Sequence, residues 1–182
     1  GDRFLARNQP ALEAQSCDLA DEIAYNNHDV DDGLRYGLIS MQQLQEIEIF
    51  RMQYDKVQKM YPGLNERRQV HEIIRRMINY MVVDLIENSK AALQRLNLQH
   101  PDEARAQDAY IIGFSAQTQQ QNLELKRFLR KELYRHYRVH RMTKKAADVI
   151  TALFDAFMED PNILPPDARG HCERLQEKNG ET

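Results

Sequence analysis

The sequence predicts an all-α fold, an irregular multi-helix bundle of about five or six helices. Three observations carry this. Leu, Glu, Gln, Arg and Met, which favour helix, dominate the 182 residues, and only seven glycines and six prolines interrupt them. Apolar residues recur three and four apart through the long segments. No stretch alternates apolar with polar residues and is rich in β-branched side chains, so no strand is predicted.

The first helix follows Pro10, a residue suited to a helix N-terminus. It runs from Ala11 to about Asn27 or further, with Leu12, Cys17, Leu19, Ile23 and Val30 as apolar positions; Gly33 and Gly37 then loosen the chain. Ser40 is the expected N-cap of a second helix, which carries Met41, Leu44, Ile47, Phe50, Met52 and Val57 and stops before Pro62-Gly63. Asn65 caps a third, long helix reaching about Leu96, broken by His100-Pro101-Asp102. Residues 101–116 are ambiguous, and Ile111-Ile112-Gly113-Phe114 reads as a short buried turn. A fourth helix is expected from about Thr118 to Arg141, entered through the polar run Gln117–Gln121. A fifth is capped by Thr143 and ended by Pro161 and Leu164-Pro165-Pro166. One domain is therefore expected over residues 1–166, followed by a polar, weakly ordered tail at 167–182.

The formal net charge of −3 argues neither for nor against an anionic partner. Cys17 and Cys172 form no disulfide framework and no zinc pattern, and point to a reducing, cytoplasmic setting. No apolar run approaches the ~18–20 residues that cross a membrane, so no membrane partner is expected. Gly1-Asp2-Arg3-Phe4 has neither an initiator methionine nor a signal-peptide layout; the chain is expected to be processed or a piece of something longer.

The first helix carries the unusual chemistry. From Ala11 through Leu34 it holds seven acids and no Lys or Arg. Asp18, Asp21, Tyr25, Asp29 and Asp32 are three or four apart and share a face. Carboxylates so placed repel unless a cation, a base or a sugar hydroxyl meets them. A divalent metal suits carboxylate oxygen, and a Tyr hydroxyl one turn from an Asp suits a sugar hydroxyl, which both donates and accepts. A solvated acidic face is the alternative that spacing alone leaves open.

The wording of this helix adds to its spacing. Ala20-Asp21-Glu22-Ile23-Ala24-Tyr25 followed by His28-Asp29-Val30-Asp31-Asp32-Gly33-Leu34 closely resembles the bacterial dGTPase-like deoxynucleotide triphosphohydrolases of the HD superfamily. Leu125-Lys126-Arg127-Phe128-Leu129, Leu133-Tyr134, Val139, Arg141, Leu153-Phe154, Pro161 and Leu164-Pro165, in that order, are similar to the family's C-terminal helical pattern. The likeness covers about residues 4–166.

The resemblance implies a metal-dependent hydrolase that splits a dNTP into deoxynucleoside and triphosphate, with Mg or Mn as cofactor. Asp21 falls on the last ligand of the family's metal site, and Tyr25 and Asp29 fall on contacts to the deoxyribose 3′-hydroxyl. Glu22 stands where some relatives carry a basic phosphate contact. The family's first His and its His-Asp doublet lie upstream of such a segment, and only ten residues, none of them His, precede Ala11. His28-Asp29 matches the sugar-contact segment and not the doublet. The family's closing motif is also missing, so the chain is expected to be cut at both ends, to leave the metal unbound and to be inactive alone. A homo-oligomer is implied as well.

A second candidate is the basic run Lys126, Arg127, Arg130, Lys131, Arg135, Arg138, Arg141, Lys144 and Lys145. It reads either as a phosphate or single-stranded nucleic-acid surface or as a solvated helix face. Within it Lys126, Arg130 and Arg138 are the candidate contacts, and His71 and Arg75 on the third helix are further ones. The competing function is a non-catalytic helical module that binds nucleic acid or a protein through residues 126–145. His136 and His140 have metal-like spacing but lie among cations.

Overall fold

The computed structural model describes residues 8–179, with side chains described to Leu175. The readings made on Gly1–Phe4, the first residues of the family likeness and the last residues of the tail lie outside the described residues. The helices are α1 (Leu12–Arg35), α2 (Met41–Leu44), α3 (Glu48–Met60), α4 (Glu66–Leu96), α5 (Pro101–Arg105), α6 (Ala116–Phe128), α7 (Tyr137–Glu159) and α8 (Pro166–Asn179). A π-helical turn, Leu129–Tyr134, continues α6, and a 3-10 turn, Pro161–Ile163, follows α7. The described residues contain no strand, so the fold is all-α as the sequence predicts.

The chain divides into two compact units, residues 1–135 and 136–182. The boundary expected at residue 166 falls inside the second unit. In the first unit α4 packs against α1 and α3, and α6 packs against α3. Phe50, Leu44, Ile49, Ile73, Met77, Met81, Leu125 and Leu129 fill the core between them.

The ends of the helices follow local chemistry. Asn65 caps α4 by accepting from the Arg68 N–H, as its position suggests. Ser40 and Gln43 form a reciprocal capping box at α2. The helix expected to run on from Ser40 breaks at Gln45–Ile47. In one unbroken helix Leu44 and Gln53 would point about 180° apart, at 100° per residue. Both are buried, and the break turns both inward.

Gly33 does not loosen the chain. It lies within α1, where Ile39 packs so closely that an added Cβ would sit 2.7 Å from Ile39 Cδ1 and 3.4 Å from Leu133 Cδ1. Gly37, at φ +62°, ends the helix: its N–H reaches Leu34 O at 3.1 Å, and the Leu38 N–H reaches Gly33 O at 2.9 Å. These are the two bonds of a Schellman motif.

Two further expectations are corrected. The helix predicted from Thr118 to Arg141 starts at Ala116, capped by Ser115, whose amide and hydroxyl are held by Asp84 at 2.9 and 2.6 Å. It then widens into the π turn and stops at Arg135, where His136 caps α7 by accepting from the Arg138 N–H. No Gly or Pro marks this break, so composition did not reveal it. Thr143 lies inside α7 and caps nothing. Beyond the 3-10 turn, α8 begins at Pro166 and carries the one-turn pair Arg169–Glu173.

The loop before α6 holds Ile111, Ile112 and Phe114 buried, as the sequence suggests. Gln15 on α1, itself fully buried, fixes it. Its Oε1 accepts from the Ile111 and Ile112 amides at 2.9 and 3.1 Å, while its Nε2 donates to Pro10 O at 2.9 Å. Gln15→Met keeps the shape and removes the acceptor, leaving two buried N–H groups unpaired. The expected loss is about 2–4 kcal/mol in urea unfolding, from ~1–3 kcal/mol per stranded donor.

Candidate functional site

The acidic face of α1 does not look into solvent alone. Asp18, Asp21, Glu22 and Tyr25 form one side of a cleft of about 770 Å³, and Lys126, Arg127, Arg130 and Arg135 form the other. The second row comes from α6 and its π turn. Helical spacing produces both rows: 18, 21, 22 and 25 share one face of α1, and 126, 127 and 130 share one face of α6. Of the α1 acids, Glu22 meets a cation, Lys126, across the bundle, while Asp31 and Asp32 lie near Arg35 on α1 itself.

Buried amides hold the two rows in register. Asn122, fully buried, donates to Glu22 Oε1 at 2.6 Å and accepts from Asn26 Nδ2 at 3.1 Å. Glu22 Oε2 then pairs with Lys126 at 3.1 Å. Glu22 is therefore a structural bridge between α1 and α6. Thr118, one turn before Asn122, and the adjacent Gln121 are buried too. Gln121 takes a hydrogen bond from Tyr80 at 3.1 Å and gives one to Glu48 at 3.0 Å. The run Gln117–Gln121, read from sequence as a polar approach to the helix, turns part of its polar face into the core.

At the far end of the cleft the Tyr134 hydroxyl donates to Asp29 Oδ2. Burial pushes the Asp29 carboxyl above the ordinary carboxylate range; the Tyr134 bond pulls it back, Asp32 adds to the rise and His28 opposes it. Burial also raises Tyr134, and its bond to Asp29 raises it further, so the phenol stays protonated and acts as the donor. From sequence, Tyr134 was singled out only within the C-terminal helical pattern, beside Leu133. The π turn is what carries its hydroxyl to α1.

The remaining aspartates on this face are engaged unequally. Asp18 accepts from Tyr110 at 3.1 Å, and Asp32 lies 3.9 Å from Arg35. Asp21 is exposed and makes no hydrogen bond or ion pair among the described residues. The described residues also contain no group of three His, Cys, Asp or Glu side chains able to hold a metal ion. They do not fit a divalent cation on their own, because Asp21 offers a single carboxylate.

The structure thus brings together Asp21, Tyr25, Lys126 and Arg130, with Asp29 tied to the same cleft through Tyr134. It does not bring in Arg75 or His71. Arg75 is spent on Glu72, at 2.7 and 2.9 Å, and Arg76 shares that carboxylate at 2.8 Å. His71 lines a separate cleft of about 710 Å³ with Arg67, Glu66, Asp31 and Arg35. The basic run 126–145 is not one helix face. The break at Arg135 leaves Lys126, Arg127, Arg130 and Arg135 in the first unit and Arg138, Arg141, Lys144 and Lys145 in the second.

Residues 112–182 match the phosphohydrolase-associated domain. A deoxyguanosinetriphosphate triphosphohydrolase-like protein of Bordetella pertussis is 53% identical over 169 residues, which is 93% of this chain and 44% of the relative. Proteins of the same description from Nitrosomonas europaea and Ralstonia pickettii are 50% and 46% identical, over 91% of this chain in each case and 44% and 42% of their own lengths. The chain spans less than half the length of these relatives, and it belongs to the family of deoxyguanosinetriphosphate triphosphohydrolase-like proteins.

Proposed function

We propose that this chain supplies one wall of the nucleotide site of a deoxynucleoside triphosphate triphosphohydrolase. The facing acidic and basic rows carry the reading: they suit a ligand with a neutral, hydroxyl-bearing end and a polyanionic end. Tyr25 and Asp29 take the sugar hydroxyl. The Tyr134 bond occupies one Asp29 oxygen and leaves the other free to accept. Asp21 and Asp29 lie eight residues apart, about 12 Å along the helix at 1.5 Å per residue, which matches a nucleotide lying along α1.

Lys126 and Arg130 offset phosphate charge, Lys126 from a position held by Glu22. Asp21 contributes one carboxylate towards a Mg or Mn ion, which would supply Lewis-acid activation of the phosphate in the complete enzyme. Its other ligands are not among the described residues. The chain's own work is to bind and orient: it fixes the sugar and balances the phosphates.

Calorimetric titration with a dNTP separates these roles. Asp29→Asn is expected to weaken dNTP and deoxynucleoside binding alike, by roughly 10- to 100-fold, as for a lost hydrogen bond to a charged group. Lys126→Ala with Arg130→Ala is expected to weaken dNTP binding and to spare the deoxynucleoside. Equal affinity of wild type and Asp29→Asn sinks the sugar assignment.

The raised Asp29 group predicts a pH limb. A protonated Asp29 accepts poorly, so binding is full above its pKa and falls as pH drops through it. Tyr134→Phe removes the bond that lowers this pKa, and the midpoint moves to higher pH; Asp29→Asn has no limb. With Mn²⁺ or Mg²⁺ the chain alone is expected to release no triphosphate, and sustained release in a phosphate-coupled assay overturns the one-wall reading.

A further inference from the structure

Five cations stand between Lys126 and Arg135, and they divide by residue type. The two lysines are taken: Lys126 pairs with Glu22 at 3.1 Å and Lys131 with Glu132 at 2.7 Å. The three arginines, Arg127, Arg130 and Arg135, make no hydrogen bond or ion pair among the described residues. All three line the cleft. Over the whole lining, four cations face three carboxylates, Asp18, Asp21 and Glu22. Lys126 and Glu22 offset each other, and the three guanidinium groups outnumber the two remaining acids.

The π turn brings the arginines into one row. Arg127 and Arg130 share a face of the helix, about 4.5 Å apart along its axis at 1.5 Å per residue. In unbroken α-helix Arg135 would point about 140° away from Arg130, at 100° per residue. The turn Leu129–Tyr134 repeats from i to i+5, so Arg135 returns over Arg130 instead. A guanidinium group presents two parallel N–H donors to a pair of phosphoryl oxygens, which an ammonium does not. Three such forks in line suit three linked phosphoryl groups.

We propose that Arg127, Arg130 and Arg135 form a site for free inorganic triphosphate, the second product of the hydrolysis proposed above. In that reaction the water oxygen joins the α-phosphorus, the bond from this phosphorus to the sugar oxygen breaks, and the sugar oxygen takes a proton. The deoxynucleoside is then held only by hydrogen bonds to its hydroxyl. The triphosphate gains a charge and keeps its three forks. The deoxynucleoside therefore leaves first, and the triphosphate stays behind as a competitor of the next dNTP. This order of release rests on the proposed reaction; the triphosphate site rests on the arginine row.

Calorimetric titration of the 182-residue chain with sodium tripolyphosphate, without added metal, tests the site. Binding is expected, with pyrophosphate weaker and orthophosphate weaker still. Arg127→Gln, Arg130→Gln and Arg135→Gln should each weaken tripolyphosphate on the order of tenfold. Arg135→Lys keeps the charge, loses the fork and should recover only part of this. Arg135→Gln should also narrow the gap between tripolyphosphate and pyrophosphate, which loss of charge elsewhere does not do. Arg141→Gln with Lys145→Gln removes two charges from the second unit and should change nothing. Tripolyphosphate should displace a bound dNTP and leave deoxynucleoside affinity as it was. The site is overturned if tripolyphosphate does not bind at concentrations on the order of 1 mM, or if the three anions bind alike. It is also overturned if the second-unit pair weakens binding as much as the arginine variants do. Any of these results alongside Asp29-dependent dNTP binding would strike the triphosphate site and keep the nucleotide reading. Tripolyphosphate bound through the arginines, while Asp29→Asn binds dNTP like wild type, upholds the site and removes the sugar assignment.

Discussion

Gln121 and Asn122 are buried amides in a largely apolar interior, and each must find hydrogen-bond partners where water does not reach. That constraint organises the first unit. Asn122 finds Asn26 and Glu22 on α1, and Gln121 finds Tyr80 on α4 and Glu48 on α3. One turn and a half of α6 is thereby tied to three other helices by bonds that have direction. Apolar packing tolerates sliding by a fraction of a turn, but these bonds do not. The alignment of Lys126 with Glu22, and hence the width of the cleft, follows from them.

The same network settles what the acidic helix means. Acids crowded on one helix are costly in isolation; Asp18, Glu22 and Asp29 find partners about a hundred residues away, while Asp31 and Asp32 lie beside Arg35 on the same helix. Glu22 is bonded from two sides, Asp29 is held by a phenol, and Asp18 by another. Asp21 is left uncommitted in the cleft between them. Glu22, bonded through both oxygens, has little left to offer a ligand and serves the scaffold, whereas Asp21 and the second oxygen of Asp29 are left open to the proposed site.

Periodicity made the long helices legible. α1, α4 and the buried Ile111–Phe114 turn were all visible, because caps such as Asn65 and apolar stripes such as Val70, Ile73, Ile74 and Met77 are local signals. The break between α2 and α3 and the one at Arg135 were not visible. Neither is marked by Gly or Pro; both arise because tertiary burial of Leu44 with Gln53, or the bond from Tyr134 to Asp29, outweighs continuous helix. Of the candidate residues, Asp21, Tyr25 and Asp29 were singled out through wording and spacing and Lys126 and Arg130 through charge, and Asp21, Tyr25, Lys126 and Arg130 line one cleft. Tyr134, Asn122 and Gln15 were missed for one reason: each acts through a partner some 90 or more residues distant, and a single sequence carries no trace of which amide or phenol will be buried.

The π turn has a bearing on how this helix is inherited. Its wider coil accommodates one more residue than an α-helical path of the same rise. It is equivalent to a single-residue insertion that the helix has absorbed without a loop. Removing one residue between Leu129 and Leu133 would let an ordinary helical turn span the same rise with Tyr134 near its present angle, whereas the same deletion in the regular part of α6 would rotate Tyr134 by about 100°, away from Asp29. The reading frame of side chains around the cleft is thus set by chain length as much as by residue identity. An alignment that places that gap elsewhere in α6 would pair the wrong residue with Asp29 even where every letter of the helix matched.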